Sequence, residues 1–205
     1  MLKPIDIGAE VFHELIESRS FYIDKTKFIK TIFEDNASKV ILITRPRRFG
    51  KTLTMSTFHD FLALDAENPG NVSRQESLFK ETAIFTKEKD FCNRYMGKFP
   101  VVFITLKEAF GNDFEGAYDQ LGCIVFGMYN SFSYLAGSPK LNNAEKNIFR
   151  RIADNDEYIR NIANKNKIKD SLSNLLMFLY KHHGIKPILL IDEYDVPIAK
   201  AVRNN

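Results

Sequence analysis

The segment Val40–Thr52, V-I-L-I-T-R-P-R-R-F-G-K-T, is the feature that most constrains how this chain can fold. Its first four residues are apolar and mostly β-branched, which predicts a short buried strand over Val40–Ile43. Pro46 and Gly50 interrupt that pattern, and a helix is expected to begin at Lys51. A strand, a glycine-bearing loop and a helix in this order are the context in which Gly-Lys-Thr binds phosphate.

The chemistry of such a loop follows from its geometry. Backbone N–H groups of the loop and of the first helical turn point at the anion, and the helix dipole favours negative charge there. Lys51 would bring an ammonium group to the outer phosphates, and Thr52 would offer its hydroxyl to Mg²⁺. The predicted nucleotide-binding residues are Arg45, Pro46, Arg47, Arg48, Phe49, Gly50, Lys51, Thr52 and Leu53.

One position departs from the full phosphate-loop pattern, G-x-x-x-x-G-K-[ST]. The first glycine would fall at position 45, where the chain has Arg45. Glycine lets the backbone turn tightly against phosphates, so Arg45 predicts a different start to the loop. The roles of Arg45, Arg47 and Arg48 stay open between phosphate contact, product neutralisation, a neighbouring subunit, a nucleic-acid backbone and a solvated surface.

A second motif, P-I-L-L-I-D-E-Y-D, spans Pro187–Asp195 and predicts a strand that ends in two acids. A carboxylate that leaves water needs a cation or hydrogen-bond donors, so such acids usually have a use. In a nucleotide-hydrolysing site, Asp192 would hold the Mg²⁺ shell and Glu193 would orient and deprotonate the attacking water. The predicted catalytic residues are therefore Glu193 and Lys51, and the predicted metal ligands are Thr52 and Asp192.

Composition sets the class of protein and its expected compartment. With 205 residues, 44% hydrophobic content and a net charge of +3, the chain is an ordinary globular protein for which nucleic-acid binding is neither required nor excluded. Cys92 and Cys123 are isolated, which suits a reducing compartment and not a disulfide framework or zinc site. The acidic N-terminal residues and the absence of a long apolar run predict a cytoplasmic protein without a membrane span.

Apolar spacing along the chain predicts helices that alternate with strands. This order favours the α/β class with a mostly parallel sheet. Asp24 is expected to cap the second helix, and Asp195 either caps the last helix or assists the metal shell. Helices are predicted over 11–16, 25–33, 51–64, 113–135, 144–152, 157–163, 168–181 and 196–201, short helical pieces over 74–98, and a further strand over 99–106.

With these motifs placed, the chain resembles the predicted AAA-ATPase-like family, whose members are often found in bacteria and archaea. The resemblance is carried by F-Y-I-D-K-T-K-F-I at 21–29, T-R-P-R-R-F-G-K-T-L at 44–53, F-P-V-V-F at 99–103 and L-I-D-E-Y-D-V-P-I at 190–198. It implies a P-loop NTPase fold of three αβα layers, ATP as the nucleotide and Mg²⁺ as the metal. Arg45 in place of glycine matches the usual loop of this family.

The resemblance also implies how the domain is organised. Residues 1–36 would form a lead-in segment and 37–205 the nucleotide-binding core, with further strands and a PD-(D/E)XK nuclease-like effector domain beyond Asn205. We therefore expect a truncated, N-terminal part of the ATPase domain with weak or no hydrolysis of its own. Tyr22, Asp24 and Lys25 would touch the adenine by analogy, although Tyr22 fits a packing role equally well. Homo-oligomer formation stays open.

Two alternative functions remain at this stage. In the first, the chain is a non-catalytic module whose arginines Arg45, Arg47 and Arg48 hold nucleic acid or an acidic partner, and salt-sensitive DNA binding that ignores Lys51 would indicate it. In the second, the chain is a degenerate ATPase that keeps nucleotide as a structural ligand. Glu193 argues against the first, because a module that only binds needs no water-orienting base.

Overall fold

The computed structural model describes residues 4–34, 40–44, 49–154, 159–160 and 165–203, without the side chains of 165, 198 and 201–203. It divides the chain into two compact units, 1–101 and 102–205, and each is described by itself. None of the helices in these ranges combines the length and apolarity needed to cross a bilayer.

The first unit is built from short helices packed around one longer helix. The predicted helices near 11–16, 25–33 and 51–64 are confirmed, as are the short pieces between 74 and 98. The observed elements are α1 (Phe12–Glu17), α2 (Lys27–Glu34), α3 (Lys51–Leu62), α4 (Ser73–Phe79), α5 (Ala83–Lys87) and α6 (Lys89–Tyr95).

Aromatic rings fill the core of this unit. Phe61 of α3 is fully buried, and its ring centroid lies 5.3 Å from that of Phe79 and 6.0 Å from that of Phe91. Phe12 of α1 packs on Phe79 at 4.8 Å. Each fully buried phenylalanine contributes about 1.5–3 kcal/mol through removal of apolar surface from water. Because Phe61 contacts rings of both α4 and α6, α3 is the central helix of this core.

The same helix also satisfies the first amides of α1. Val11 precedes α1 and provides no side-chain cap. Instead, the backbone N–H of Phe12 donates to Ser56 Oγ at 2.9 Å, and that of His13 donates to Asp60 Oδ2 at 3.1 Å. Because Ser56 and Asp60 lie one turn apart on α3, they fix the start of α1 against that helix.

Asp24 and Thr26 connect the start of α2 to the start of α5. Asp24 Oδ1 accepts from the amide of Thr26 at 2.8 Å and from its hydroxyl at 2.7 Å, directly before α2. Asp24 Oδ2 accepts from the amide of Ala83 at 2.5 Å, and Thr26 Oγ1 accepts from that of Ile84 at 3.1 Å. The two side chains thus satisfy helix-start amides that are distant in sequence.

The second unit combines a small sheet with longer helices. Its two strands pair in parallel and confirm the strands predicted over 99–106 and after Pro187. The helix predicted over 157–163 falls largely outside the described residues. The observed elements are β1 (Val101–Thr105), α7 (Phe114–Asn130), a 3₁₀ helix (Ser133–Gly137), α8 (Asn143–Ala153), α9 (Lys165–His183), β2 (Ile188–Asp192) and α10 (Val196–Arg203).

A continuous apolar core joins β1 to α7, α8 and α9, and polar contacts fix the helices around it. The Tyr129 hydroxyl donates to the carbonyl of Ser171 at 2.8 Å. Asn142 and Glu145 form a capping box at the start of α8, and Glu145 also pairs with Lys181 of α9. The buried core residues are Val102, Ile104, Val125, Met128, Tyr129, Leu135, Leu141, Phe149, Ile152, Ile159, Leu175, Phe178 and Leu179.

The strand predicted over Val40–Ile43 is wrong in this structure. These residues have no regular secondary structure, and the side chains of Val40 and Leu42 are 84% and 64% exposed. β-branched residues form a strand only where a neighbouring strand takes up their backbone groups, and the described part of the chain pairs none with them. The sheet of the described residues therefore has two strands.

Candidate functional site

The first predicted site element is the junction at which α3 begins. Gly50 has φ 73° and ψ 36°, the left-handed conformation that glycine adopts without steric cost. Its carbonyl accepts from the amide of Thr54 at 2.9 Å and from the Thr54 hydroxyl at 2.8 Å. The backbone therefore turns sharply at Gly50 and enters the helix at Lys51, as the sequence predicts.

The residues after this turn form the first turn of α3. Lys51, Thr52 and Leu53 are half-buried in the first turn of α3, and Phe49 is exposed just before it. Gly50 has no side chain with which to cap the first-turn amides of α3. The positive end of the α3 dipole, which favours negative charge, lies at this junction beside a lysine and a threonine.

The rest of the predicted loop cannot be assessed in the same way. Arg45, Pro46, Arg47 and Arg48 lie outside the described residues. Their proposed contacts to phosphates remain predictions.

The second predicted site element is the end of β2. Asp192, the last residue of the strand, is only 5% exposed, and its carbonyl accepts from the amide of Leu106 at 2.9 Å. The side chain of Glu193 is half-buried directly after the strand. The strand therefore delivers a buried carboxylate followed by a more accessible one, as its sequence predicts.

Glu193 has a backbone conformation that its residue type does not favour. Its φ is 54°, in the left-handed region. This conformation costs a residue with a Cβ about 1–2 kcal/mol, and non-glycine residues held in this way concentrate at functional sites. Its carbonyl accepts from the amide of Val196 at 3.1 Å, which closes the turn that leads into α10. No local sequence signal reveals this conformation, since glutamate is common in helices and loops alike.

Asp195 lies just before α10, and its carbonyl accepts from the amide of Ala199 at 2.9 Å. The backbone of Asp195 thus begins the hydrogen-bond ladder of the helix. Whether its carboxylate caps the helix or assists a metal stays a prediction.

The predicted metal site can be compared with the donors present. Thr52 belongs to the first unit and Asp192 to the second, so their local settings are described separately. The described residues contain no cluster of three or more His, Cys, Asp or Glu side chains able to hold a metal. Mg²⁺ at nucleotide sites usually takes one or two protein oxygens together with phosphates and water. A hydroxyl and a carboxylate fit that chemistry.

The lead-in residue Tyr22 packs against the core of the first unit. Its ring meets that of Phe12 edge-on at 5.3 Å. Burial raises the pKa of the Tyr22 phenol, and the charge of Asp24 acts in the same direction. Hydrogen bonds with the backbone of Lys25 and the side chain of Thr57 lower this pKa, but by less. These contacts favour the packing role of Tyr22 over contact with an adenine.

The sequence interpretation missed a polar cluster at the far end of α3. His13 Nδ1 lies 3.0 Å from Asp60 Oδ2, and His59 Nδ1 lies 3.6 Å from Asp60 Oδ1. Burial acts to raise the pKa of Asp60, but the hydrogen bonds from His59 and His13 outweigh it and lower that pKa below its usual value. The cluster holds α1 on the helix that begins with Lys51 and Thr52, and no motif surrounds either histidine in sequence.

Comparison with known proteins identifies the family. The family described as "Predicted AAA-ATPase" matches residues 6–205. No curated protein and no solved structure matches the chain. The family match spans nearly all of the sequence, including the Gly50–Thr52 turn and the acids that end β2, and it confirms the resemblance drawn from the motifs. The chain belongs to the predicted AAA-ATPase-like family.

Proposed function

We propose that this chain is an Mg²⁺-dependent, ATP-binding P-loop module, that it hydrolyses ATP in the full-length protein, and that it regulates an attached effector. Membership of the family indicates a nucleotide-binding module. The observation that carries the proposal is the left-handed turn at Gly50, which leads directly into a helix whose first residues are Lys51 and Thr52.

In this proposal the phosphates lie at the start of α3. The amides of the first turn and the backbone around Phe49 and Gly50 would bind them, and Leu53 would continue that turn. Lys51 would stabilise the charge that develops on the outer phosphates during transfer. Residues Arg45, Pro46, Arg47 and Arg48 would complete the loop.

The acids after β2 would supply the hydrolytic half of the site. Glu193 would hold the attacking water in line and accept its proton, which its half-buried position after the strand suits. The Thr52 hydroxyl and the Asp192 carboxylate would hold Mg²⁺, which neutralises phosphate charge when bound.

Several wider features of the proposal rest on the family resemblance. These are a three-layer αβα P-loop fold with a mostly parallel sheet and a nuclease-like effector domain. We further propose assembly into a homo-oligomer, nucleic acid as a further partner, and location in the cytoplasm, which the isolated cysteines and the acidic N-terminal residues favour. An experimental structure with nucleotide bound would test the fold.

The first experiment is calorimetric titration of Mg²⁺-ATP into this chain and into its Lys51→Ala variant. We expect the variant to lose at least tenfold in affinity, about 1.4 kcal/mol, because the lysine contributes charge at the outer phosphates. Lys80→Ala, which removes an exposed lysine of the same unit, is the matched control and should bind like the wild type. Equal affinities for the wild type and the Lys51→Ala variant would contradict the proposed phosphate site.

Hydrolysis is tested separately, in the full-length protein. Glu193→Gln should bind ATP with unchanged affinity and lose turnover, since the amide cannot accept the proton of the attacking water. Omission of Mg²⁺ should weaken nucleotide binding by the wild type. It should weaken nucleotide binding by Thr52→Ala less, because that variant lacks one proposed metal ligand. Tight binding with no turnover in the wild type would indicate the degenerate, nucleotide-holding alternative.

A further inference from the structure

A separate cavity lies within the first unit, away from Gly50 and Lys51 in sequence. It has a volume of about 350 Å³ and is lined by residues of α2, α5 and α6 and of the Glu88 link between the last two. A volume near the lower end of small-molecule pockets suits one compact ligand unit. Its lining is a mixture of aromatic and charged side chains, and each group limits the ligand in a different way.

The aromatic part of the lining offers ring surface. Phe33, Phe91 and Tyr95 line the cavity, with ring centroids 5.1 Å apart for Phe33 and Tyr95 and 4.7 Å apart for Phe91 and Tyr95. Phe33 and Tyr95 are only half-buried. The Arg94 guanidinium lies 5.9 Å from the centre of the Tyr95 ring. Partly exposed rings beside a cation favour a flat, apolar ligand group.

The charged part of the lining has acids that are already paired. Lys30 Nζ lies 2.6 Å from Glu88 Oε2 and 3.3 Å from Glu34 Oε1. Lys27 adds a second cation 3.7 Å from Glu88. The hydrogen bond from Lys30 is the main cause that lowers the pKa of Glu88, so this carboxylate is held ionised against its lysines. These two acids therefore attract little further positive charge.

The remaining charges have a positive excess. Within the described residues, Lys87, Lys89 and Arg94 form no ion pair, and Asp90 is the one acid of the lining left to oppose them. All four side chains are exposed. An aromatic cage for a cationic ligand needs the opposite balance. The excess favours an anion that also carries a flat group.

We propose that this cavity binds one nucleoside phosphate unit of a single-stranded nucleic acid, with the base on the Phe33–Tyr95 surface and the phosphate at Arg94 and Lys89. Stacking on aromatic rings together with cations along the backbone is the usual basis of single-strand binding without sequence preference. A free nucleotide has the same chemistry and is the alternative source. An acidic peptide would use the cations and leave the rings without a partner. The site is independent of the proposed ATP site.

The test is fluorescence anisotropy of a labelled oligothymidylate at several salt concentrations, with this chain and its variants. We expect saturable binding that weakens with salt. Arg94→Gln/Lys89→Gln should weaken binding at low salt at least tenfold and reduce the logarithmic salt slope by about 0.7, since these two cations share one phosphate and each single-strand phosphate contact contributes about 0.7. Tyr95→Leu should weaken binding about tenfold with little change in slope. Thermal unfolding of each variant checks that it is folded.

Two controls distinguish binding in this cavity from binding elsewhere on the chain. Lys80→Gln removes an exposed cation outside the cavity and should leave binding unchanged. Loss of binding in Lys51→Ala would instead assign the oligonucleotide to the proposed ATP site. Thymidine monophosphate is then added as a competitor of the labelled oligothymidylate. If it competes as well as unlabelled oligothymidylate at the same concentration of nucleotide units, the cavity binds free nucleotide. Weaker competition by the monophosphate assigns the cavity to the strand. Three outcomes would overturn the proposal. Neither probe binds, binding is lost in Lys51→Ala alone, or binding weakens equally in Lys80→Gln and in Arg94→Gln/Lys89→Gln.

Discussion

Gly50 in the first unit and Glu193 in the second are the residues at which the backbone turns beside the two predicted site motifs. Each has a left-handed backbone, with φ of 73° and 54°. Gly50 directly precedes α3, and Glu193 directly follows β2. Glycine adopts this conformation freely, whereas glutamate pays about 1–2 kcal/mol for it. The left-handed conformation therefore strains the backbone at Glu193 and not at Gly50.

The difference follows from which part of the residue the proposed chemistry uses. At Gly50 the proposal uses the backbone, because the amides of the adjoining turn would bind the phosphates. At Glu193 the carboxylate is the proposed base, so glycine would remove the functional group together with the strain. A strained residue at this position is what selection for a side chain, instead of for stability, would leave.

The largest effect is expected from a β-branched residue at position 50. Gly50→Val should lower the free energy of unfolding by about 2 kcal/mol and reduce Mg²⁺-ATP affinity more than tenfold, because valine resists the left-handed turn that begins α3. Chemical denaturation and calorimetry measure the two effects. The matched control is Gly127→Ala in α7, where an added Cβ meets no atom within 4 Å and should stabilise the chain by about 0.5–1 kcal/mol. Unchanged ATP affinity in Gly50→Val would contradict the proposal that the left-handed turn at Gly50 is needed for ATP binding.

An opposite effect on stability is expected at position 193. Glu193→Gly should raise the free energy of unfolding by about 1 kcal/mol, since glycine relieves the left-handed strain, while it abolishes ATP turnover in the full-length protein. Glu193→Gln should lose turnover equally and gain no stability. Denaturation of both variants beside the wild type measures the difference. If Glu193→Gly proves less stable than Glu193→Gln, strain at this residue is not what distinguishes the two units.

A smaller effect concerns pH and separates the units by their titrating groups. Burial lowers the pKa of His183 from 6.5 to about 4, and His182 and Lys140 act in the same direction. The folded unit therefore favours neutral His183, so its stabilisation is complete above about pH 6.5 and is lost as pH falls towards about 4. In the first unit, the lowered pKa of Asp60 confines the corresponding loss to more acidic solution.

Amide hydrogen exchange as a function of pH, read separately for α3 and α9, measures this difference. We expect α9 to lose protection between pH 6.5 and 4 while α3 keeps it. His183→Gln retains an acceptor for the Tyr134 hydroxyl, which lies 2.8 Å from His183 Nε2, and should flatten much of the dependence. Parallel loss in the two helices would show that the units do not differ in this way.

Local patterns were sufficient where a residue's neighbours in sequence decide its conformation. The start of α3 at Lys51 follows from Gly50, and the end of β2 at Asp192 follows from an apolar run that stops at two acids. The same reasoning failed at Val40–Ile43, because a β-branched run forms a strand only when another strand accepts its hydrogen bonds. Which segment pairs with which is a tertiary property that periodicity does not contain.

The sequence by itself determined the family, the class of secondary structure, and the residue types of the two predicted site motifs. Only the tertiary structure decided that Ser56 and Asp60 cap a distant helix, that Glu193 is held in a left-handed turn, and that Phe33, Tyr95 and Arg94 line one cavity. The physical reason is range. Helix starts and strand ends depend on interactions within a few residues, whereas caps between helices, backbone strain and cavities depend on groups that only folding brings together.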